Sequence, residues 1–203
     1  MMMPHLSALE IDAVTEIMNV GVGRAAASLS LMVAEEIQLS VPHAQVLYGA
    51  DASAHLGSTA NRMVAVREDF RGGIAGSAAL LFPKARSLDL VRMVLDEELT
   101  PEEVSELEQE ALVEIGNIIL NGCLSSVADA LTGEIETSIP VLLRTDLASI
   151  LPPTPDHETM LLVLTINFLI RSHDIEGQIV FLMDMQAADA FQKMVARYVE
   201  SLS

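Results

Sequence analysis

The sequence predicts an α+β fold with internal pseudo-two-fold symmetry: a duplicated unit whose strands join into one antiparallel-rich sheet covered by long helices. Three observations lead there. Two stretches, about 8–33 and 101–133, have the length and periodicity of long helices. Each is followed by a short β-rich run ending in proline, further strand candidates and a shorter helix. The two halves also align with each other residue by residue.

In chain order, Ser7 followed by Glu10 forms a capping box, and apolar residues at 14, 17, 18, 21, 25 and 29 recur at helical spacing, so a first helix should run from about 8 to 33. "EIQLSV" is β-rich and is expected to stop at Pro42. "AQVLYG", "RMVAVREDF" and "IAGSAALLF" are further strand candidates, the last ending at Pro83, and "ARSLDLVRMVLD" returns to helical spacing. Pro101 opens the clearest helix: proline suits the first helical position, acids crowd the first turn, and Gly133 is a candidate C-terminal cap. Then come "EIETSIP", a proline-rich turn "LPPTPD", the strand candidates "TMLLVLTINFLIR" and "IEGQIVFLMDM", and a closing helix "AADAFQKMVARYVES".

At an offset of 98, residues 12–42 meet 110–140 with identities at Ala13/Ala111, Glu16/Glu114, Ile17/Ile115, Asn19/Asn117, Ser28/Ser126, Glu36/Glu134, Ile37/Ile135, Ser40/Ser138 and Pro42/Pro140. About two matches would arise by chance from average composition. The chain therefore reads as a tandem duplication, with repeats of about 8–98 and 101–200 forming a single domain over 1–203. Units of that length are too long for a solenoid, which is why a shared sheet is the economical architecture.

Composition narrows the function. An apolar content of 51% over 203 residues supplies a sizeable core. The formal charge of −18, with no basic run to offset it, repels phosphate backbones and anionic lipid, so nucleic acid and membrane surfaces are not expected partners. "GGIAGSAALLFP" and "TMLLVLTINFLI" fall short of a bilayer span and read as buried strands. The N-terminus lacks a signal-peptide pattern, and Cys123 has no intramolecular disulfide partner; a cytoplasmic protein is expected, with Cys123 as a small buried residue. The five histidines show no ligand spacing, and the eleven methionines read mainly as core.

Asp12, Glu16 and Asn19 fall on one helical stripe, as do Glu110, Glu114 and Asn117; the stripes continue to Gly23 and Asn121. The first avoids the apolar face of Val14, Ile17, Met18 and Gly21, which turns the acid and the amide outward. A carboxylate and a carboxamide one turn apart can pair with a cation on a docked molecule and hold a water through the amide's donor and acceptor. Hydrolysis of an acyl phosphate needs little more, because its leaving group is already good and the protein contributes positioning and electrostatics.

With those residues in place, the sequence resembles the CheC/CheX/FliY family of chemotaxis phosphatases. The family signature is Asp or Ser, three residues, Glu, two residues, Asn, twenty-two residues, Pro. Asp12, Glu16, Asn19 and Pro42 meet it; Glu110, Glu114, Asn117 and Pro140 meet it again, departing only at Glu110. The resemblance implies hydrolysis of the aspartyl phosphate of a CheY-like response regulator in two-component chemotaxis signalling. Asn19 and Asn117 would orient the attacking water, and Glu16 and Glu114 would salt-bridge the regulator's lysine. The resemblance implies no cofactor of the protein's own, Mg²⁺ residing on the regulator. Two motifs look like CheC rather than CheX, and the chain ends too soon for the added switch domain of FliY-like proteins. A CheD-like receptor deamidase is a further implied partner, and a non-catalytic adaptor for regulator or deamidase is the competing reading.

Two other motifs are weaker. "GVGRAA" fits a dinucleotide fingerprint but lies inside a helical pattern, and its counterpart "ILNGCL" has lost the glycines. Gly21 and Gly23 are expected instead to admit a close neighbour. His157-Glu158 opens like a zinc-protease motif, but Leu161 stands where the second histidine belongs.

Overall fold

The computed structural model of the chain describes residues 5–33, 36–48, 51, 54–55, 63–94, 101–143, 159–170 and 173–202. The expected turn at 151–156 and His157-Glu158 lie outside them. Helix α1 (Ala8–Val33) leads into β1 (Ile37–Tyr48), β2 (Met63–Gly72) and β3 (Gly76–Pro83). After a 3₁₀ turn at Lys84–Arg86 follow α2 (Ser87–Val94) and α3 (Pro101–Val127). The second half continues with a π-helical turn at Ala128–Thr132, β4 (Ile135–Thr137), β5 (Val141–Leu143), β6 (Thr159–Ile170), β7 (His173–Asp184) and α4 (Met185–Ser201).

The described strands make one antiparallel sheet in the order β1-β6-β7-β3-β2-β4, with β5 also on β2. Read from either end, this order is the same list with the halves exchanged: β1 answers to β4 and β5, β6 to β2, and β7 to β3. The duplication seen in the sequence is thus a pseudo-two-fold axis passing between β3 and β7. Each half lends its first strand to the other half's edge.

The helix ends follow from local chemistry. Ser7 N–H donates to Glu10 Oε2 at 2.6 Å and Glu10 N–H to Ser7 Oγ at 3.3 Å, completing the capping box at the start of α1. Asp184 caps α4 by accepting from Ala187 N–H at 2.8 Å. Gly133, at φ +83°, ends the π-helical turn, and its N–H donates to Ala128 O at 2.7 Å. The π-helical turn itself is not visible in the sequence pattern.

Side chains alternate across the sheet. Val64, Val66 and Phe70 of β2, with Leu80, Phe82, Leu162, Leu164 and Phe181, face the helices and join Val14, Ile17, Met18, Leu112, Ile115, Ile119 and Phe191 in the main core. Ala65, Leu81, Leu161, Val163 and Val180 form a smaller cluster on the opposite face. Helices α1 and α3 touch at their backbones: a Cβ on Gly21 would lie 2.7 Å from Gly122 O and from Cys123 Cα. Gly21 therefore does admit a neighbour, whereas a Cβ on Gly23 would meet nothing within 4 Å. Cys123 is buried, as expected.

Two strand expectations change. β1 does not stop at Pro42 but runs through it to Tyr48, merging two predicted strands. The pairing with β6 skips from Ser40↔Asn167 to His43↔Thr165, and proline is tolerated because it sits at this bulge on an edge strand. "EIETSIP" conversely yields only the three-residue β4, with β5 resuming after Pro140. One segment within the described residues, Leu107–Leu131, is long and apolar enough to cross a membrane by length and composition; 56% of its most apolar window is buried inside this fold, as for a core helix.

Candidate functional site

The first motif lies on the outer side of α1. Asp12 and Glu16 are exposed, and among the described residues neither carboxylate makes a hydrogen bond or ion pair. Glu16 borders a groove of about 240 Å³ between α1, α4 and the end of α3, lined also by Val20, Tyr198 and the Arg24–Asp129 ion pair of 2.7 Å. Asn19 is half-buried and tied to the main chain of β1: its Oδ1 accepts from Val41 N–H at 2.9 Å, and its Nδ2 donates to Val41 O at 3.3 Å.

That tie follows from the bulge. Val41 and Pro42 have no partners in the β1–β6 register, and Val41 is buried at 3% exposure. Its N–H and C=O would be orphaned in the interior without a side-chain amide to take both.

The second motif is built differently. Glu110 and Glu114 are exposed and unpaired among the described residues, like their counterparts. Asn117 is half-buried, but its Oδ1 accepts from Asn121 Nδ2 at 2.7 Å, and Asn121 Oδ1 in turn accepts from Thr137 Oγ1 at 3.2 Å. Among the described residues no main-chain group holds the Asn117 side chain. Ile139, which corresponds to Val41, is turned out to 86% exposure, because Ser138 fastens the strand to β2 one residue earlier: Ser138 N–H donates to Asp69 O at 2.8 Å and Asp69 N–H to Ser138 Oγ at 2.9 Å. Pro140 is partly buried just beyond. A cavity of about 310 Å³ lies along this edge, lined by Asp69, Arg71, Glu136, Thr137 and Ser138. A hydrogen bond from Ser77, with help from Arg67, holds the Asp69 carboxyl below its ordinary range.

The two sites thus present the same exposed acids with differently restrained amides. Asn19 has one Nδ2 hydrogen left outside its main-chain bonds; Asn117 keeps its whole NH₂ group, for which no protein acceptor occurs among the described residues. Each arrangement can accept a cation at the glutamate and offer a donor to a water one turn away. Among the described residues no three His, Cys, Asp or Glu side chains gather as a metal site.

Comparison with known proteins bears on what such a surface is for. The family model described as chemotaxis phosphatase CheX matches residues 64–163. CheC1 of Halobacterium salinarum is 25% identical over 181 residues, covering 87% of this chain and 91% of the relative. The CheY-P phosphatase CheC of Bacillus subtilis is 22% identical over 134 residues, 64% of each chain. These likenesses support a place in the CheC/CheX/FliY family. Solved structures share the fold across nearly its whole length. FliY of Thermotoga maritima has a TM-score of 0.70 at 20% identity, covering 98% of this chain and 99% of that one. The middle domain of FliM from H. pylori has a TM-score of 0.66 at 10% identity, covering 93% and 99%. CheX of Borrelia burgdorferi, solved in complex with CheY, BeF₃ and Mg²⁺, has a TM-score of 0.51 at 15% identity, covering 84% and 99%.

In this chain the signature's distant proline acquires a physical reason. Pro42 cannot donate to the sheet ladder, which opens the bulge whose preceding residue Asn19 holds. Val41, Asn121 and Thr137 carry the geometry of the two amides, yet sequence reading assigned none of them a role. The one available signal was the repeat alignment itself, which sets Asn121 against Gly23 four residues beyond the asparagine that both halves share.

Proposed function

We propose that the protein is a cytoplasmic phosphatase that hydrolyses the aspartyl phosphate of a CheY-like response regulator, with the α3 motif as the stronger site. One observation carries the reading: on α3, an exposed and unpaired Glu114 stands one turn from Asn117, whose NH₂ group points to no protein acceptor among the described residues. The name of the Bacillus subtilis relative and the Borrelia complex supply the substrate class. Glu114, and Glu16 at the other site, would pair with the regulator's lysine and hold its acyl phosphate over the helix. Asn117 Nδ2 would donate to a water in line with the phosphorus. The water oxygen forms the new P–O bond, the bond to the aspartyl oxygen breaks, the carboxylate departs, and the water's proton leaves with inorganic phosphate. Mg²⁺ on the regulator would neutralise the phosphoryl oxygens.

Asn19 would act in the same way with its single remaining donor, so the α1 site should be slower. Its main-chain attachment favours a second reading for that site alone: a docking surface that binds regulator, or a CheD-like deamidase, without hydrolysis. Asn117→Ala is expected to remove most of the phosphate release and Asn19→Ala little, while the double variant still binds regulator. Loss of a single water-positioning donor is worth on the order of 10²–10³ in rate. Phosphate release that the parent speeds no more than the double variant does, at the regulator's own rate of decay, would leave only the adaptor.

A further inference from the structure

At the 98-residue offset Asn121 stands where α1 has Gly23, a position with no side chain and open space around it. The two halves therefore restrain their motif asparagines by different means. On α1 the Val41 main chain does so; on α3 the one group among the described residues that holds Asn117 is the side chain of Asn121, itself held by Thr137. Asn121 is half-buried, one turn beyond Asn117 on the same stripe.

We propose that Asn121, steadied by Thr137, is the positioning residue of the α3 site: by donating to Asn117 Oδ1 it sets which end of the Asn117 carboxamide faces the docked phosphoryl group. This rests on the phosphatase reading above. A terminal amide torsion is broad and roughly two-fold, so an unrestrained asparagine on a helix surface samples both ends. The two orientations present opposite chemistry to a water, donor in one and acceptor in the other. With Asn121 Nδ2 aimed at it, the flipped amide would bring two NH₂ groups together and forfeit a hydrogen bond, whereas the observed orientation turns Asn117 Nδ2 outward. A water that accepts from Nδ2 retains its second lone pair for the phosphorus. Thr137 acts one step further back: its hydroxyl donates to Asn121 Oδ1 at 3.2 Å and holds the Asn121 side chain in place. No catalytic contact is assigned to either residue.

The test uses the full chain and steady-state phosphate release from phosphorylated regulator. In an Asn19→Ala background, where α3 works alone, Asn121→Ala is expected to lower kcat about tenfold, the worth of one neutral hydrogen bond, with KM within about twofold. Thr137→Val should lower kcat less. In an Asn117→Ala background the remaining rate is carried by Asn19 and should not follow Asn121. An undiminished kcat in the first background overturns the assignment. So does an equal loss in both backgrounds, which marks general damage to the helix pair. If the Asn19→Ala/Asn117→Ala protein hydrolyses the substrate as fast as the parent, the phosphatase reading of these two motifs fails, and the relay is judged by NMR without any partner. The Asn117 side-chain NH₂ resonances should shift in Asn121→Ala and in Thr137→Val, and peaks that stay in place would dismiss the relay.

Discussion

Glu68 offers the sharpest quantitative test of the fold. It lies on β2, opposite Ala78 of β3, in the helix-facing row with Val64, Val66 and Phe70. It is 1% exposed, and among the described residues neither carboxylate oxygen has a hydrogen-bond partner. Helix α3 crosses this strand, since a Cβ on Gly116 would come within 2.5 Å of Val66. Burial alone pushes the carboxyl from 4.5 up to about 7, and burial together with the Glu68 charge pushes the Cys123 thiol up to about 12. A raised carboxyl pKa means that the unfolded chain ionises first. Stability is therefore undisturbed below about pH 4.5, falls as the pH rises from there to about 7, and levels off above. The gap amounts to about 3 kcal/mol at pH 8 and under about 1 kcal/mol at pH 5. Glu68→Gln and Glu68→Leu remove the titration. Urea unfolding of parent and variants at pH 5, 6, 7 and 8 should show the variants gaining on the parent by the difference between those figures, whatever their offset at pH 5. A parent–variant difference that stays flat with pH would refute the burial of an unpartnered acid beneath α3.

Two further outcomes follow from the helix pair and the exposed acids. Gly21→Ala should cost about 1–3 kcal/mol in urea unfolding, because its Cβ meets backbone of α3, whereas Gly23→Ala, into open space, should stabilise by up to about 1 kcal/mol through helix propensity. In an Asn19→Ala protein, Glu114→Gln should raise KM for phosphorylated regulator more than it lowers kcat and should flatten the salt dependence of kcat/KM, both read from initial rates across ionic strength.

What could be read from the letters alone was whatever depends on near neighbours or on repetition. The α1 boundaries at 8 and 33 followed from Ser7, Glu10 and the apolar spacing, and the start of α3 followed from Pro101, because caps and periodicity act within a turn or two of chain. The duplication emerged from the alignment of 12–42 with 110–140, and with it the outward acids Glu16 and Glu114. The family resemblance rested on the same residues. Pro42 misled when it was read as a strand end, since its effect depends on lying at a bulge of an edge strand.

Which asparagine is tied down, and by what, was decided only by the folded chain. Asn19 and Asn117 occupy identical places in the motif, but Val41 reaches the first across 22 residues, while Ser138 binds Asp69 and leaves Ile139 outside, so the second is left to Asn121. The exchange of β1 and β4 between halves, the contact of Gly21 with Gly122 and the burial of Glu68 are likewise long-range. Helix ends and motif spacing are set by forces acting within a few residues and so are written locally. The restraint on a motif amide is a hydrogen bond between segments that meet only after the sheet has formed, and no local pattern encodes where those segments will pass.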